Sequence, residues 1–197
     1  MVRLQVVSRL TILTILINLI STPLTGQAKE DALAGFDEWV EAVMDEWKTP
    51  GLAIAIIDDG HVVLSKGYGY RNLEEQIPVT SDTLFPIGSN TKSFTALLLG
   101  MLVDDGKLTW DTPIKEILTD FQLHDPIATA QMTTRDLLCH RSGLPRHDFC
   151  WISGGRTRNE IYQAQRYLKP TEPFRSKFQY SNLMFTTAGI LTERITG

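Results

Sequence analysis

Basic residues are in the minority in this 197-residue sequence, which has 19 Lys and Arg against 23 Asp and Glu and a net charge of −4. Proteins that bind nucleic acid carry an excess of positive charge, at least on one face. The composition therefore favours no nucleic-acid partner. With 43% hydrophobic and 21% charged residues it is typical of a soluble globular domain, and it contains no internal repeat or low-complexity segment.

Cysteine and metal-binding patterns are equally scarce. The four histidines are scattered and there is no H-E-x-x-H motif, so we expect no metal and no other cofactor. The two cysteines, Cys139 and Cys150, are close enough in sequence to form a disulfide, but two cysteines are not a disulfide framework. The sequence leaves both a disulfide and free thiols as alternatives, and we favour a packing role for Cys139.

Long apolar runs are also missing, apart from one near the N-terminus. Arg3 and Arg9 are the only charges before an apolar stretch, Leu10–Ile20, that small residues follow. This order is that of a secretory signal peptide, and the stretch is shorter than the about 20 residues that a membrane span needs. We predict a signal peptide over 1–28, a secreted or periplasmic domain over 29–197, and no stable membrane span after cleavage. An uncleaved N-terminal membrane anchor is the alternative.

Hydrophobic periodicity predicts an α+β fold. Residues 32–47 have the apolar spacing of an amphipathic helix, and residues 51–72 form two β-prone runs joined by Asp59-Gly60, which is a hairpin signal. From residue 85 onwards the pattern is mainly helical. Helices are predicted over 90–103, where the helix is apolar on most sides and therefore buried, from Thr112-Pro113, over 133–143, over 159–167 and over 183–195.

Residues 89–92 read Ser-Asn-Thr-Lys, which is an S-x-x-K motif. Positions i and i+3 share a helix face, so the Lys92 amine is expected beside the Ser89 hydroxyl. A serine hydroxyl becomes a good nucleophile when its proton is removed and the developing charge is stabilised, and a neighbouring lysine can contribute to both. Alternatively, Ser89 is only a helix N-cap, because a motif of two common residues also occurs by chance.

Tyr180 and Asn182 form a second pattern, Y-x-N, which the sequence places in a loop between two helices. A tyrosine near Ser89 and Lys92 can carry a proton if the lysine lowers its pKa, and an amide can both donate to and accept from a substrate amide. A second Y-x-N lies at 70–72, at the end of the hairpin, but it precedes the S-x-x-K motif.

Several segments in the same order resemble the β-lactamase-related serine hydrolases, a family that includes class C β-lactamases, penicillin-binding proteins, D-Ala-D-Ala carboxypeptidases, D-aminopeptidases and certain esterases. The resembling segments are the hairpin at 51–72, residues 85–94 followed by Asp-Gly-Lys-Leu at 105–108, the L-L-x-H-x-S-G-L segment at 137–144, and the Y-x-N at 180–182. The resemblance implies the N-terminal part of the β-lactamase/transpeptidase-like fold: a helix, an antiparallel hairpin and then a mainly helical region.

The resemblance also implies roles. Ser89 would attack the substrate carbonyl and become acylated, Lys92 would activate it, Tyr180 would act as general base and acid, and Asn182 would bind the substrate. The Ser89 backbone N–H would form half of an oxyanion hole, and His140 and Gly143 would belong to a structural turn beside the site. The implied partners are small-molecule or peptide substrates: a β-lactam, a D-Ala-type peptide or an ester.

One element of the family pattern is missing from the sequence, namely K-T-G or H-x-G on a late strand of the sheet. Thr196 and Gly197 follow a predicted helix and lack the preceding Lys or His. We therefore expect a C-terminally truncated domain without the later strands. Two functions follow as alternatives: an acyl-enzyme serine hydrolase, or an inactive fragment or secreted cell-wall binding module.

Overall fold

The computed structural model describes residues 33–152 and 154–197, which divide into two compact units at residue 85. The predicted signal peptide at 1–28 lies outside the described residues, as does position 32, where the first predicted helix begins. No helix within the described ranges has the length and apolar character that crossing a membrane requires.

The first unit consists of one helix, α1 (Phe36–Trp47), against a small antiparallel sheet. Its strands β1 (Gly51–Asp58), β2 (His61–Asn72) and β3 (Ile77–Pro78) lie in the order β1-β2-β3. Val40 and Met44 of the helix pack on Tyr68 of the sheet. The predicted hairpin is confirmed, because Asp59 and Gly60 have φ of 49° and 75°, which fits the primed turns of tight hairpins.

The second unit, from residue 86 onwards, is mainly helical in its described part. Its helices are α2 (Thr91–Asp104), α3 (Pro126–Gln131), α4 (Thr134–Leu138), α5 (Phe149–Ile152), α6 (Arg158–Ala164) and α7 (Asn182–Thr196), with 3-10 turns at Gly88–Asn90, Ile114–Glu116 and Gln165–Tyr167. The α+β prediction is therefore confirmed.

The core of the second unit forms around α7, against which α2, α4 and α6 pack. Leu99 and Leu102 of α2 meet Leu183, Met184 and other buried residues of α7. This packing holds the N-terminal ends of the two helices close together, which matters because the predicted site residues lie at those ends.

Three expectations about α2 and its neighbours are wrong. Four apolar side chains of α2 are exposed, so the helix is not buried all round: Phe94, Leu97, Leu98 and Met101. The helix expected at Thr112-Pro113 is a single 3-10 turn, because Pro113 is extended and bridges to Thr133, while the Ile114 N–H bonds the Met132 carbonyl. Cys139 is exposed rather than packed, and both cysteines are free thiols.

The helix ends show where local signals were read correctly and where they were missed. Thr133 caps α4 in a capping box with Asp136, as its sequence predicts, but the helix ends at Leu138 rather than near residue 143. The helix predicted over 159–167 is present as α6, which begins one residue earlier and ends at Ala164, and the last three predicted residues form the 3-10 turn Gln165–Tyr167. Asn182, however, is the first residue of α7 and not part of a loop.

Candidate active site

Ser89 lies in the 3-10 turn that leads into α2, and its side chain is exposed. One turn later along the chain, the Lys92 Nζ donates to the Ser89 Oγ at 3.1 Å. The predicted shared face of residues i and i+3 is therefore what the structure shows. The hydroxyl is at once accessible from solvent and in contact with an amine.

Tyr180 precedes α7 and reaches the same hydroxyl from the other side. Its phenol oxygen is 2.6 Å from the Ser89 Oγ, at hydrogen-bond distance, and the Lys92 Nζ is 4.7 Å from the centre of the ring. The contacts with Lys92 and with Ser89 lower the pKa of the Tyr180 phenol below its ordinary value of about 10. The phenol is thus better suited to accept a proton than a free tyrosine.

Asn182 opens α7, and Ser181 caps that helix by accepting the Met184 N–H at 3.3 Å. The Asn182 Oδ1 accepts from the Lys92 Nζ at 2.6 Å. The structure therefore brings together the four side chains predicted from the sequence, and Lys92 contacts the other three.

An acidic side chain on the far side of Asn182 was not predicted from the sequence. The Asn182 Nδ2 donates to the Asp148 Oδ1 at 3.3 Å, and the same carboxylate accepts from Arg146 at 2.6 Å and from the Trp151 indole at 3.2 Å. The hydrogen bond from Arg146, supported by those from Trp151 and Asn182, holds the pKa of Asp148 below its usual value. An arginine and an aspartate in a loop give no sequence signal that separates them from ordinary solvated charges.

Arg146 also bears directly on Tyr180. Its guanidinium carbon lies 4.9 Å from the centre of the Tyr180 ring, within cation–π distance. Tyr180 is therefore near two cations, Lys92 and Arg146, and both favour its deprotonated form.

The segment predicted to be a structural turn, around His140 and Gly143, lies against Tyr180. The His140 ring stacks on the Tyr180 ring with 4.5 Å between centroids. Gly143 has φ of 86°, and a Cβ there would lie 2.5 Å from the Glu172 carbonyl oxygen, so only glycine fits. The Gly143 carbonyl in turn accepts the Thr171 and Glu172 N–H groups, and the turn is confirmed as a structural element.

Within the described ranges, no group of three or more His, Cys, Asp or Glu side chains is arranged to hold a metal ion. The chemistry that the site itself offers is proton transfer at a hydroxyl. The Ser89 Oγ touches a phenol with a lowered pKa and an amine, which are the groups needed to remove a hydroxyl proton and to balance the resulting charge.

A family profile described as "Beta-lactamase" matches residues 36–197. The chain belongs to the β-lactamase family. The family resemblance read from the sequence motifs is thereby confirmed, and so is the fold that it implied.

Several individual proteins are similar to this chain over most of its length. The unguisins hydrolase ungD′ of Aspergillus campestris is 41% identical over 173 residues, which are 82% of this chain and 32% of that protein. The octameric penicillin-binding protein homologue from Pyrococcus abyssi superimposes with a TM-score of 0.73 at 32% identity, over 84% of this chain and 39% of that one. The D-amino acid amidase from Ochrobactrum anthropi SV3 gives a TM-score of 0.66 at 32% identity, over 82% and 45%.

The chain spans about a third of the length of the curated relatives it matches, since it covers 32% and 31% of the two unguisins hydrolases. What these relatives do as whole molecules is therefore a basis only for proposals about this chain.

Proposed function

We propose that this chain carries the nucleophile of a serine hydrolase that works through an acyl-enzyme, with Ser89 as nucleophile and Lys92, Tyr180 and Asn182 around it. The observation that carries the proposal is the pair of contacts at one oxygen. The Ser89 Oγ is 2.6 Å from the Tyr180 hydroxyl and 3.1 Å from the Lys92 Nζ. A catalytic base must be within such hydrogen-bond reach of the proton that it removes.

In the proposed first half-reaction, the Ser89 Oγ attacks the substrate carbonyl carbon while its proton passes to the Tyr180 oxygen. The bond from the carbonyl carbon to the leaving nitrogen or oxygen then breaks, and Tyr180 returns the proton to the leaving group. In the second half-reaction a water molecule attacks the Ser89 ester, Tyr180 takes the water proton, and Ser89 recovers it on release of the acid.

Lys92 supports both half-reactions through its position. Its ammonium lies beside the Ser89 oxygen and the Tyr180 ring, where it stabilises the negative charge that passes between them. It also fixes Asn182, whose side-chain amide we assign to substrate binding because it lies at the edge of the same cluster.

The substrates that fit this mechanism are carbonyl compounds with an amine or alcohol leaving group: a D-amino-acid amide or peptide, a β-lactam or an ester. Similarity to a D-amino acid amidase and to unguisins hydrolases supports a hydrolase of this kind. The domain boundaries proposed with it are those of the sequence analysis, a signal peptide over 1–28 and the catalytic domain over 29–197.

The proposal is tested by labelling the full-length protein with a fluorophosphonate probe and locating the adduct by peptide mass spectrometry. We expect the adduct on Ser89, no labelling of Ser89→Ala, and labelling of Lys92→Ala and Tyr180→Phe slowed by about 10²–10⁴-fold, as for loss of an activating group. Ser93→Ala is the matched control, because Ser93 lies on the same helix with its hydroxyl bonded to the Asn90 carbonyl. An adduct on another residue with Ser89 unmodified would overturn the assignment.

A further inference from the structure

His140 contacts three consecutive residues that include Tyr180. Its carbonyl accepts the Gln179 N–H at 2.6 Å, its ring stacks on the ring of Tyr180 at 4.5 Å, and its Nδ1 accepts the Ser181 N–H at 3.0 Å. His140 thus contacts residues 179–181 through its backbone carbonyl, the face of its ring and its ring nitrogen.

The geometry fixes the protonation state of the histidine. A backbone N–H can only donate, so the Nδ1 that faces Ser181 carries no proton, and the proton of the neutral ring is on Nε2. Protonation of Nδ1 would set one N–H against another and break this contact. Burial and the charge of Lys92 lower the pKa of His140, which favours the neutral ring.

The backbone of His140 is strained in a way that its contacts explain. Its φ of 55° lies in the left-handed region, which few non-glycine residues adopt, and which Asn, Asp and His adopt more often than others. Such conformations persist where the surroundings hold them, and they are frequent at functional sites. Here the Phe178 and Phe185 rings, each 5.3 Å from the imidazole, enclose the side chain together with Tyr180.

We propose that His140 is a positioning residue for Tyr180, holding residues 179–181 where the Tyr180 hydroxyl reaches the Ser89 Oγ. The inference rests on the proposed function, since it is Tyr180 as proton carrier that has to be positioned. The titratable groups around His140 are Tyr180 and Lys92, and Arg146 lies over the Tyr180 ring. Uptake of a proton by His140 would add a third cation to this group and release Ser181.

Two substitutions separate the functions of the ring. His140→Asn keeps an acceptor close to the place of Nδ1 and tolerates the left-handed backbone, but it lacks the ring. His140→Phe keeps the ring face and lacks the acceptor. His147→Asn is the matched control, because His147 also has a left-handed φ, of 48°, and lies in the same unit, and its carbonyl accepts the Cys150 N–H rather than that of Gln179.

The first measurement is the rate of Ser89 acylation by the fluorophosphonate between about pH 4.5 and 9, in the full-length protein. As the pH falls below the pKa of Tyr180, the logarithm of the acylation rate should decrease by about one for each pH unit. In the wild type this decrease should become steeper at the pH where His140 takes up a proton. His140→Asn should not steepen, because an amide does not titrate. His140→Phe should be about 10- to 100-fold slower than wild type across the range, as expected for a misplaced catalytic group.

The second measurement does not depend on activity. The ultraviolet titration of Tyr180, obtained as the difference between each protein and its Tyr180→Phe counterpart, should show a lowered pKa in the wild type, in His140→Asn and in His147→Asn. In His140→Phe the pKa should return towards the ordinary value for tyrosine. Circular dichroism melting identifies a variant that does not fold, and His140→Asn then decides the question alone.

The outcomes distinguish the inference from the proposed function. A wild-type protein that is never labelled at Ser89, but whose Tyr180 titration responds to His140→Phe, would refute the proposed function and keep the positioning. If Ser89 is labelled, two outcomes would refute the positioning role of His140. One is that the acylation rate falls with decreasing pH equally steeply in the wild type and in His140→Asn. The other is that His140→Phe has the acylation rate and the Tyr180 titration of the wild type.

Discussion

Tyr180 receives its chemical character from two cations that reach it from different parts of the chain. Lys92 lies one turn after Ser89 on α2, and Arg146 belongs to the loop before α5, with its guanidinium over the ring. A positive charge stabilises the phenolate more than the phenol, so each cation lowers the pKa of the side chain. The neighbouring cations thus make Tyr180 a more suitable base for the proposed mechanism than an isolated tyrosine.

The Arg146 contribution gives a prediction in pH. If the Tyr180 phenolate is the reactive form, the acylation rate rises with pH and levels off above the pKa of Tyr180. Arg146→Gln removes a cation, so the pKa rises and the rate profile should move to higher pH. Acylation rates over the pH range check this, with Arg158→Gln as control, since Arg158 pairs with Glu193 at the surface. A profile that does not move would exclude a contribution from Arg146.

Asp148 gives a second prediction at the same scale. Asn182 lies between a cation and an anion, with its oxygen towards Lys92 and its nitrogen towards Asp148, and this pair of contacts fixes which way the amide faces. Asp148→Asn leaves an amide against an amide, and we expect acylation to slow by about 10-fold, the value of one charged hydrogen bond. Asp111→Asn, which removes an exposed partner of Arg135, is the control for loss of one negative charge. Equal rates in the two variants would contradict the assignment.

Site residues that are close together in the sequence can be predicted from it, whereas those that only the tertiary fold brings together cannot. Ser89 and Lys92 are three residues apart on one helix, so their contact is predictable from helix geometry. Tyr180 is predicted from the Y-x-N pattern together with the family resemblance, and neither depends on helix geometry. Asp148 and the contacts of His140 depend on where separate loops meet, and no local pattern in the sequence reports that.

Among the elements, α4 carries the only charged side chain that is buried in the described part of the chain, that of Asp136. Asp136 is fully buried and accepts from Arg175 at 2.6 Å, from Arg141 at 2.8 Å and from the Thr133 hydroxyl at 2.7 Å. Burial alone would raise the pKa of Asp136, but these hydrogen bonds outweigh it and the pKa is lowered. The carboxylate ties α4 to the two segments that flank His140 and Tyr180.

The sign of this shift sets a prediction for stability. A carboxyl whose pKa is lowered by folding stabilises the protein above its ordinary pKa of about 3.9, and this contribution is lost as the pH falls through the lowered value. Asp136→Asn should cost about 3 kcal/mol of unfolding free energy at neutral pH and should reduce the loss of stability as the pH falls below the ordinary pKa of an aspartate. Urea unfolding at several pH values measures both, with Asp111→Asn, which should cost less than about 1 kcal/mol, as the exposed control. An Asp136→Asn protein as stable as wild type at neutral pH would contradict this.

The long elements were predictable, as α1, α2, α7 and the hairpin show. The short helices α3 and α5 are absent from the sequence prediction, although α3 begins with an Asp125 cap and a proline at its first position. The start of α7 was missed because Ser181 was read as loop rather than as an N-cap. The exposed apolar side chains of α2 show that periodicity reports which residues are apolar, and burial depends on what packs against them.

For the molecule as a whole, the sequence predicts export. The segment that predicts it, residues 1–28, lies outside the described residues. The order of charge, apolar stretch and small residues over 1–28 predicts cleavage close to Lys29. N-terminal sequencing of the protein recovered from the medium or periplasm should therefore begin within a few residues of Lys29. Recovery of a protein that still begins at Met1 and sediments with membranes would support the N-terminal anchor instead.

The crowded glycine at position 143 has a consequence for inheritance. Every single-nucleotide missense change of a glycine codon adds at least a Cβ, and at this position that atom would lie 2.5 Å from a carbonyl oxygen in a backbone conformation that other residues avoid. The codon thus has no tolerated missense neighbour. In populations that need the activity, the only variants found at codon 143 should therefore be silent ones. A lineage released from selection should instead accumulate amino-acid replacements there early. Codon 143 thus indicates whether the gene is still under selection.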